Sequence, residues 1–391
     1  MRKSFLVFLC AIVCCFVGCD VSSKCNVVSQ NHQLKVSEKY AEMNKQVQRI
    51  LDELVKSGAQ SAVQCCAYID GELAVDAWAG TYKKGGIKKI DATSLFPVFS
   101  TEKPLLATAV HRAVEMGKMR YDMKISELWQ EFSKNGKQDI TLHNIITHHS
   151  GLQPHPDNST TDAQFCDWSF MLRQCENFKP QMKPATKSVY LGITYAWLLG
   201  EPLSRAMKKP CQDVLKELVL IPTGIDNDFF FGITQKELPR CVELNSESQQ
   251  EFYMRMNKNM YRFSCIPSFT AMANARGIAK FYSVMVGSSS KPTFLKSETL
   301  KKATTLYLGE GEAMPVQRKG CWNPKWGMGY TLNATTSDYG NVFGQGGLGG
   351  SDGMGNLKHK IAYGFTCATY VNPETEKALK KIQNIIGIYS K

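Results

Sequence analysis

Between Ser37 and Gly58 the apolar residues Met43, Val47, Ile50, Leu51, Leu54 and Val55 recur three and four positions apart, which predicts an amphipathic helix. Val63 to Ile69 and Leu73 to Trp78 are short apolar runs separated by Asp70-Gly71, the pattern of two strands joined by a tight hairpin. The far end of the chain mirrors this. Trp326 to Leu332, Val342 to Phe343 and Ile361 to Val371 read as strands, and Pro373 to Ile388 reads as a helix with Leu379, Ile382, Ile385 and Ile386 on one face. Between these ends, roughly residues 105–290, the pattern is helical and loop-like, and no internal repeat is found. The distribution predicts one α/β domain over residues 38–388, its sheet completed by both ends of the chain around an inserted helical subdomain.

At 391 residues, 43% of them hydrophobic and 21% charged, the chain is long and apolar enough to bury a substantial core, which excludes a disordered or small disulfide-framed protein. The net charge of +12 raises a nucleic-acid reading, but the basic residues fall in short scattered pairs such as Lys83-Lys84, Lys88-Lys89, Lys208-Lys209 and Lys380-Lys381. No basic tract interleaved with aromatics exists, so they are taken as solvated surface charge and no nucleic-acid partner is expected. Arg2 and Lys3, then the apolar stretch Phe5 to Val17, then Gly18-Cys19-Asp20 have the layout of a secretory signal peptide over residues 1–19. The expected location is secreted or in the secretory-pathway lumen, with no stable membrane span in the mature form. A short signal anchor, or a bacterial-type lipid attachment at Cys19, are the other readings of this segment. Four of the fourteen cysteines lie in that leader, and the ten that remain permit disulfides, Cys166 and Cys175 being the closest pair able to close a surface loop. Cys65, Cys66 and Cys367 sit in strand-like runs, where buried free thiols serve as well. Asn158-Ser159-Thr160 and Asn333-Ala334-Thr335 are glycosylation acceptor patterns consistent with secretion.

Candidate chemistry begins at Ser100. Leu95 to Phe99 is an apolar run ending at Ser100-Thr101-Glu102-Lys103, and Leu105 to Met119 reads as a helix. Three residues apart on a helix, Ser100 and Lys103 share a face, so the amine can reach the hydroxyl. A serine hydroxyl is a weak nucleophile until a base takes its proton, and a lysine becomes that base when burial lowers its pKa. Backbone amides at the helix start can stabilise an oxyanion. The same tetrapeptide pattern occurs at Ser288-Ser289-Ser290-Lys291, which lies in a serine run before Pro292 with no helix to fix it and is read as a loop. For Ser100 the non-catalytic reading is a helix N-cap. His143, His148 and His149 have a spacing compatible with metal ligands, but no carboxylate cluster accompanies them, and no metal is expected.

Phe99 to Lys103 with its following helix resembles the active-site segment of serine β-lactamases and penicillin-binding proteins. Ile140 to Leu152 is similar to the "TLxHLLTHTSGL" stretch of the class C β-lactamase-like group, Tyr190 to Glu201 to the tyrosine segment of its esterase branch, and Phe343 to Ser351 to its glycine-rich third motif. The resemblance runs in order from about residue 40 to 385 and extends to animal β-lactamase domain-containing proteins. It implies the β-lactamase/transpeptidase-like fold, an antiparallel sheet flanked by helices with an inserted helical subdomain. It further implies Ser100 as the acylated nucleophile, Lys103 as its base, and Tyr190 as a second proton carrier whose pKa the Lys103 charge would lower. Tyr195 competes for that place, but its offset of five residues matches an aromatic that packs behind the site. By the same resemblance the oxyanion hole uses the amides of Ser100 and Leu348, beside Gln345, Gly346 and Gly347. The plain reading of those glycines is a turn between strands.

Two departures bear on substrate. True β-lactamases carry asparagine two residues after the tyrosine, where this chain has Gly192, and the third motif usually begins with Lys or His, where this chain has Gln345. Glutamine offers neutral hydrogen bonds in place of a cation for a substrate carboxylate. The expected activity is therefore a cofactor-free serine hydrolase, an esterase or amidase on small neutral substrates in preference to a true β-lactamase. The alternative is a catalytically inactive binding or self-assembling protein of the same fold, against which the intact Ser100, Lys103 and Tyr190 set argues.

Overall fold

The structure, a computed structural model, describes residues 34–390 apart from 249, 313–323 and 333–340. The leader, Cys25, Cys321 and the Asn333 acceptor lie outside the described residues. Helix α1 (Ala41–Lys56) turns Val47, Ile50, Leu51 and Leu54 inward, as its periodicity requires. Strands β1 (Ala62–Ile69) and β2 (Glu72–Gly80) follow, joined at Asp70 (φ 51°) and Gly71 (φ 80°), the two positive-φ positions of a tight hairpin turn.

The remaining strands are β3 (Phe96–Pro97), β4 (Phe229–Phe230), β5 (Met272–Ala273), β6 (Lys325–Trp326), β7 (Thr331–Leu332), β8 (Val342–Gly346), β9 (Asp352–Asn356) and β10 (Ile361–Cys367). The main sheet runs β2-β1-β10-β9-β8-β7-β6 with antiparallel neighbours, so the first two strands of the chain pair with its last, Val63 opposite Cys367 and Ile69 opposite Ile361. Both ends of the chain therefore build one sheet, as expected from the sequence. A small second sheet, β3-β5-β4, braces the entry to the Ser100 turn.

Alternation along β1 sorts its two faces. Val63, Cys65 and Ala67 pack with α1 and with helix α5 (Pro373–Ile386) through Ile382 and Ile386, whereas Cys66 and Tyr68 pack on Ala275 and Ala279 of helix α4 (Ala275–Val286). Helices α2 (Lys103–Glu115) and α3 (Tyr195–Met207) hold the centre of the helical middle, with Leu106, Val110, Trp197 and Leu198 in its core. Among the described residues no helix is long and apolar enough to cross a membrane.

The sequence expectation differs from the structure at several strands, β4 and β5 among them, which fall in the stretch 105–290 read as helical and loop-like. Trp326 to Leu332 is two short strands, not one. The chain turns at 327–330, where a Cβ on Gly327 would lie 2.1 Å from the Ala303 carbonyl oxygen and one on Gly329 (φ 86°) 2.1 Å from the Ala107 Cβ. Strand β9, Asp-Gly-Met-Gly-Asn, went unread because its composition is that of a loop. Its glycines are what let α4 lie on the sheet: a Cβ on Gly353 would meet Ile278 Cγ2 at 2.4 Å and one on Gly355 would meet Val286 Cγ1 at 2.7 Å. The cysteine pair Cys166 and Cys175 forms no disulfide, and all eight described cysteines are free thiols, Cys65, Cys66 and Cys367 buried in their strands.

Candidate active site

Ser100 lies in a single 3-10 turn, Phe99–Glu102, that feeds directly into α2. Two features pin this turn. Phe99 has φ 49°, a left-handed conformation that costs a non-glycine residue roughly 1 kcal/mol or more, and its buried ring is held by stacking on Tyr253 at 5.2 Å and by an edge contact with Phe269 at 5.4 Å. Glu102 is fully buried and accepts hydrogen bonds from the main-chain amides of Thr270 and Ala271, next to β5. That latch carries the Ser268 carbonyl to Lys103, whose Nζ donates to it at 2.9 Å and stands 2.9 Å from Ser100 Oγ.

Lys103 is 1% exposed. Burial pulls its pKa from 10.5 down to about 7, and the adjacent Glu102 charge only partly opposes this. The same burial pushes the Glu102 carboxyl well above its ordinary value, partly offset by Lys103 and the main-chain amides. The amine at Ser100 is thus poised between protonated and neutral near pH 7.

Tyr190 reaches the site from a loop with no regular structure, and the motif at residues 140–152 holds it. The short helix Leu142–Ile146, capped by Thr141, ends in His148 at φ 63°. Beyond it the His148 carbonyl accepts from the Val189 N–H at 2.8 Å, and His148 Nδ1 accepts from the Leu191 N–H at 3.2 Å. Glu312 takes the Ser188 N–H at 2.9 Å and pairs with His149 Nε2 at 2.7 Å. Trp326 stacks on the Tyr190 ring at 5.2 Å and 5°. The Tyr190 hydroxyl is hydrogen-bonded to Ser100 and accepts from Gln345 Nε2 at 2.9 Å. Burial raises the Tyr190 pKa, only partly offset by those two hydrogen bonds, so the expectation that Lys103 would lower it is corrected: a lysine that is itself driven toward neutrality supplies little field. Tyr195 is buried behind the site, its ring 4.8 Å from that of His148.

The end of β8 closes the other side. Gln345 and Gly346 pair with Gly353 and Asp352, and a Cβ on Gly347 would lie 2.2 Å from the Val98 carbonyl oxygen, so only glycine allows this strand end to press on the Ser100 turn. Leu348 follows, exposed at the rim. Among the described residues neither the Ser100 nor the Leu348 N–H donates a hydrogen bond within the protein, which leaves two amides for an oxyanion.

A family model described as Beta-lactamase matches residues 47–385. The chain belongs to the beta-lactamase family. The esterase/beta-lactamase LipL of Mycobacterium tuberculosis is 24% identical over 356 residues, 82% of this chain and 80% of that protein. Among solved structures, a family VIII carboxylesterase superposes with a TM-score of 0.76 at 22% identity, over 88% of this chain and 98% of that one. A class C beta-lactamase gives 0.69 at 13% identity, over 90% and 98%. The fold is the β-lactamase/transpeptidase-like one, and the family is one of serine hydrolases that includes esterases.

In this beta-lactamase-family chain the structure gathers Ser100, Lys103, Tyr190, Gln345, Gly346, Gly347 and Leu348 into one place, and Ser288 to Lys291 into an irregular turn elsewhere. The three histidines are spent on packing, main-chain hydrogen bonds and, for His149, the Glu312 carboxylate: His143 and His149 set their rings against Tyr307 at 4.4 and 4.6 Å. Sequence reading missed Ser268, which presents its carbonyl to Lys103, and Trp326, which supports Tyr190. Neither carries a local signal, because each reaches the site through pairing across more than 130 residues.

Proposed function

We propose that the protein is a serine hydrolase that forms an acyl-enzyme at Ser100 and acts on small neutral esters or amides. The observation that carries this reading is the continuous line from Gln345 through Tyr190 and Ser100 to Lys103, ending on an amine with a pKa of about 7. Neutral Lys103 takes the Ser100 proton as Oγ bonds to the carbonyl carbon. The amides of Ser100 and Leu348 receive the oxyanion. As the tetrahedral intermediate collapses, the bond to the leaving group breaks and that group takes a proton from Tyr190, which Lys103 replenishes with the proton it took from Ser100. Water then hydrolyses the Ser100 ester. A neutral amide at Gln345 supports preference for substrates without an essential carboxylate.

The test is a fluorophosphonate probe followed by peptide mass spectrometry. The expected adduct is on Ser100, formed at least 100-fold more slowly in Lys103→Ala. Folded protein that takes no label at Ser100 would replace this reading with the non-catalytic binding protein.

A further inference from the structure

Hydrolysing an acyl-enzyme calls for a base that is unprotonated near pH 7, open to water and free to accept a proton. The titratable side chains that the Lys103 charge touches most directly are Glu102, Tyr190, His148 and His155. Glu102 is sealed from solvent and occupied by main-chain amides. Tyr190 is held as a phenol, and His148 is 1% exposed with Nδ1 taken by the Leu191 N–H. Lys103 itself is buried between Ser100 and the Ser268 carbonyl.

His155 differs from all of these. The Cε1 end of its imidazole presses on the main chain at Gly192, so close that a Cβ there would stand 2.7 Å from His155 Cε1 and 3.3 Å from each ring nitrogen. The Pro154 carbonyl fixes this approach by accepting from the N–H groups of Ile193 at 2.9 Å and Thr194 at 3.2 Å. Ile193 in turn receives the Ser268 hydroxyl at 2.7 Å, and Ser268 holds Lys103. The other side of His155 is exposed, and it lines a cavity of about 390 Å³ with Ile193, Phe165, Phe252, Asp157 and Arg255. Among the described residues no hydrogen bond occupies either ring nitrogen of His155. Partial burial, and secondarily the Lys103 charge, lower its pKa and so keep it neutral.

We propose that His155 is a further catalytic residue, the base that activates the hydrolytic water in deacylation, seated in the room that Gly192 leaves beside Tyr190. This rests on the acyl-enzyme reading. In the step, a ring nitrogen takes a proton from water while the water oxygen bonds to the acyl carbon. The bond to Ser100 Oγ then breaks, the oxygen takes the Tyr190 proton, the imidazolium restores that proton to Tyr190 through water and becomes neutral again, and the carboxylic acid leaves. Gly192 thereby gains a purpose that its position after the tyrosine does not explain alone: asparagine there would displace the ring.

The experiment is stopped-flow hydrolysis of p-nitrophenyl acetate by the full chain, with acid-quenched mass spectrometry and fluorophosphonate labelling alongside. In His155→Ala and His155→Gln the first-turnover burst and the Ser100 labelling rate are expected to stay within about threefold. Steady-state turnover is expected to fall roughly 100-fold or more, with acetyl-Ser100 accumulating. Added imidazole should restore turnover in His155→Ala, since the ring faces an open cavity. Gly192→Asn, at a position with ordinary φ, should show the same accumulation by pushing the ring aside. Turnover unchanged in His155→Ala, or burst and turnover falling together, would overturn the assignment to deacylation while leaving Ser100 acylation standing. Absence of both adducts in the unaltered protein would instead overturn the acyl-enzyme reading itself.

Discussion

At the scale of single residues, burial decides the chemistry. A lysine in water holds its proton at pH 7 and cannot serve as a base; Lys103, enclosed between Ser100 and Ser268, is near half-protonated there. Below about pH 7 it carries the proton and cannot accept the one on Ser100, so the fluorophosphonate labelling rate should rise through pH 7 and level off above it. Lys103→Ala should give a slow rate with that rise absent. On the proposed function Gln345 would act by being uncharged: Gln345→His is expected to raise the ratio of acidic to neutral ester turnover, measured on a matched pair of succinyl and butyryl esters, and an unchanged ratio would remove the role assigned to Gln345. Ser100, Lys103, Tyr190 and Gln345 were all legible in the sequence because short motifs carry them. The left-handed Phe99 was not, since its conformation is maintained by Tyr253 and Phe269, far along the chain.

Elements with a strong period were read correctly and those without one were not. Helices α1 and α5 and the hairpin of β1 and β2 follow from local apolar spacing and from Asp70-Gly71. Strand β9 follows from nothing local. Gly353, Gly355 and, on β10, Gly364 make a glycine surface onto which α4 settles, a Cβ on Gly364 meeting the Ala275 carbonyl oxygen at 2.6 Å. Gly353→Val should therefore force α4 off the sheet and destabilise the fold by about 1–3 kcal/mol or more, read as a lower urea midpoint at an unchanged slope. Since Gly353 pairs with Gln345, the same variant should also slow Ser100 labelling.

For the whole molecule, the sheet links chain ends to the site. Asp352, opposite Gly346 at the end of β8, is buried and accepts from Tyr363 on β10 and from Gln383 on α5 at 3.2 Å, which ties the C-terminal helix to the active-site strand. Burial raises its pKa from 3.8 to about 6, the hydrogen bonds opposing only in part. Between those values the folded protein binds more protons here than the unfolded chain, so this group's contribution to stability falls as pH rises through that window. The urea midpoint of Asp352→Asn relative to the unaltered protein should thus improve from pH 4 to pH 6.5; a constant difference would count against the raised pKa. The lysine pairs that produce the charge of +12 lie at the surface, Lys83, Lys84 and Lys209 meeting Glu243, Glu247 and Glu217 at 3.7, 3.5 and 2.7 Å with exposed side chains.

The sequence by itself determined the periodic elements, strands at both chain ends among them, and the short motifs that nominate a nucleophile, its base and a tyrosine, because each is encoded within a few residues. Only the tertiary structure decided that Lys103 titrates near neutrality, that Tyr190 stays a phenol, that Asp-Gly-Met-Gly-Asn is a strand and that His155 stands over Gly192. Those properties come from desolvation and close approach between residues distant along the chain, which no local pattern records.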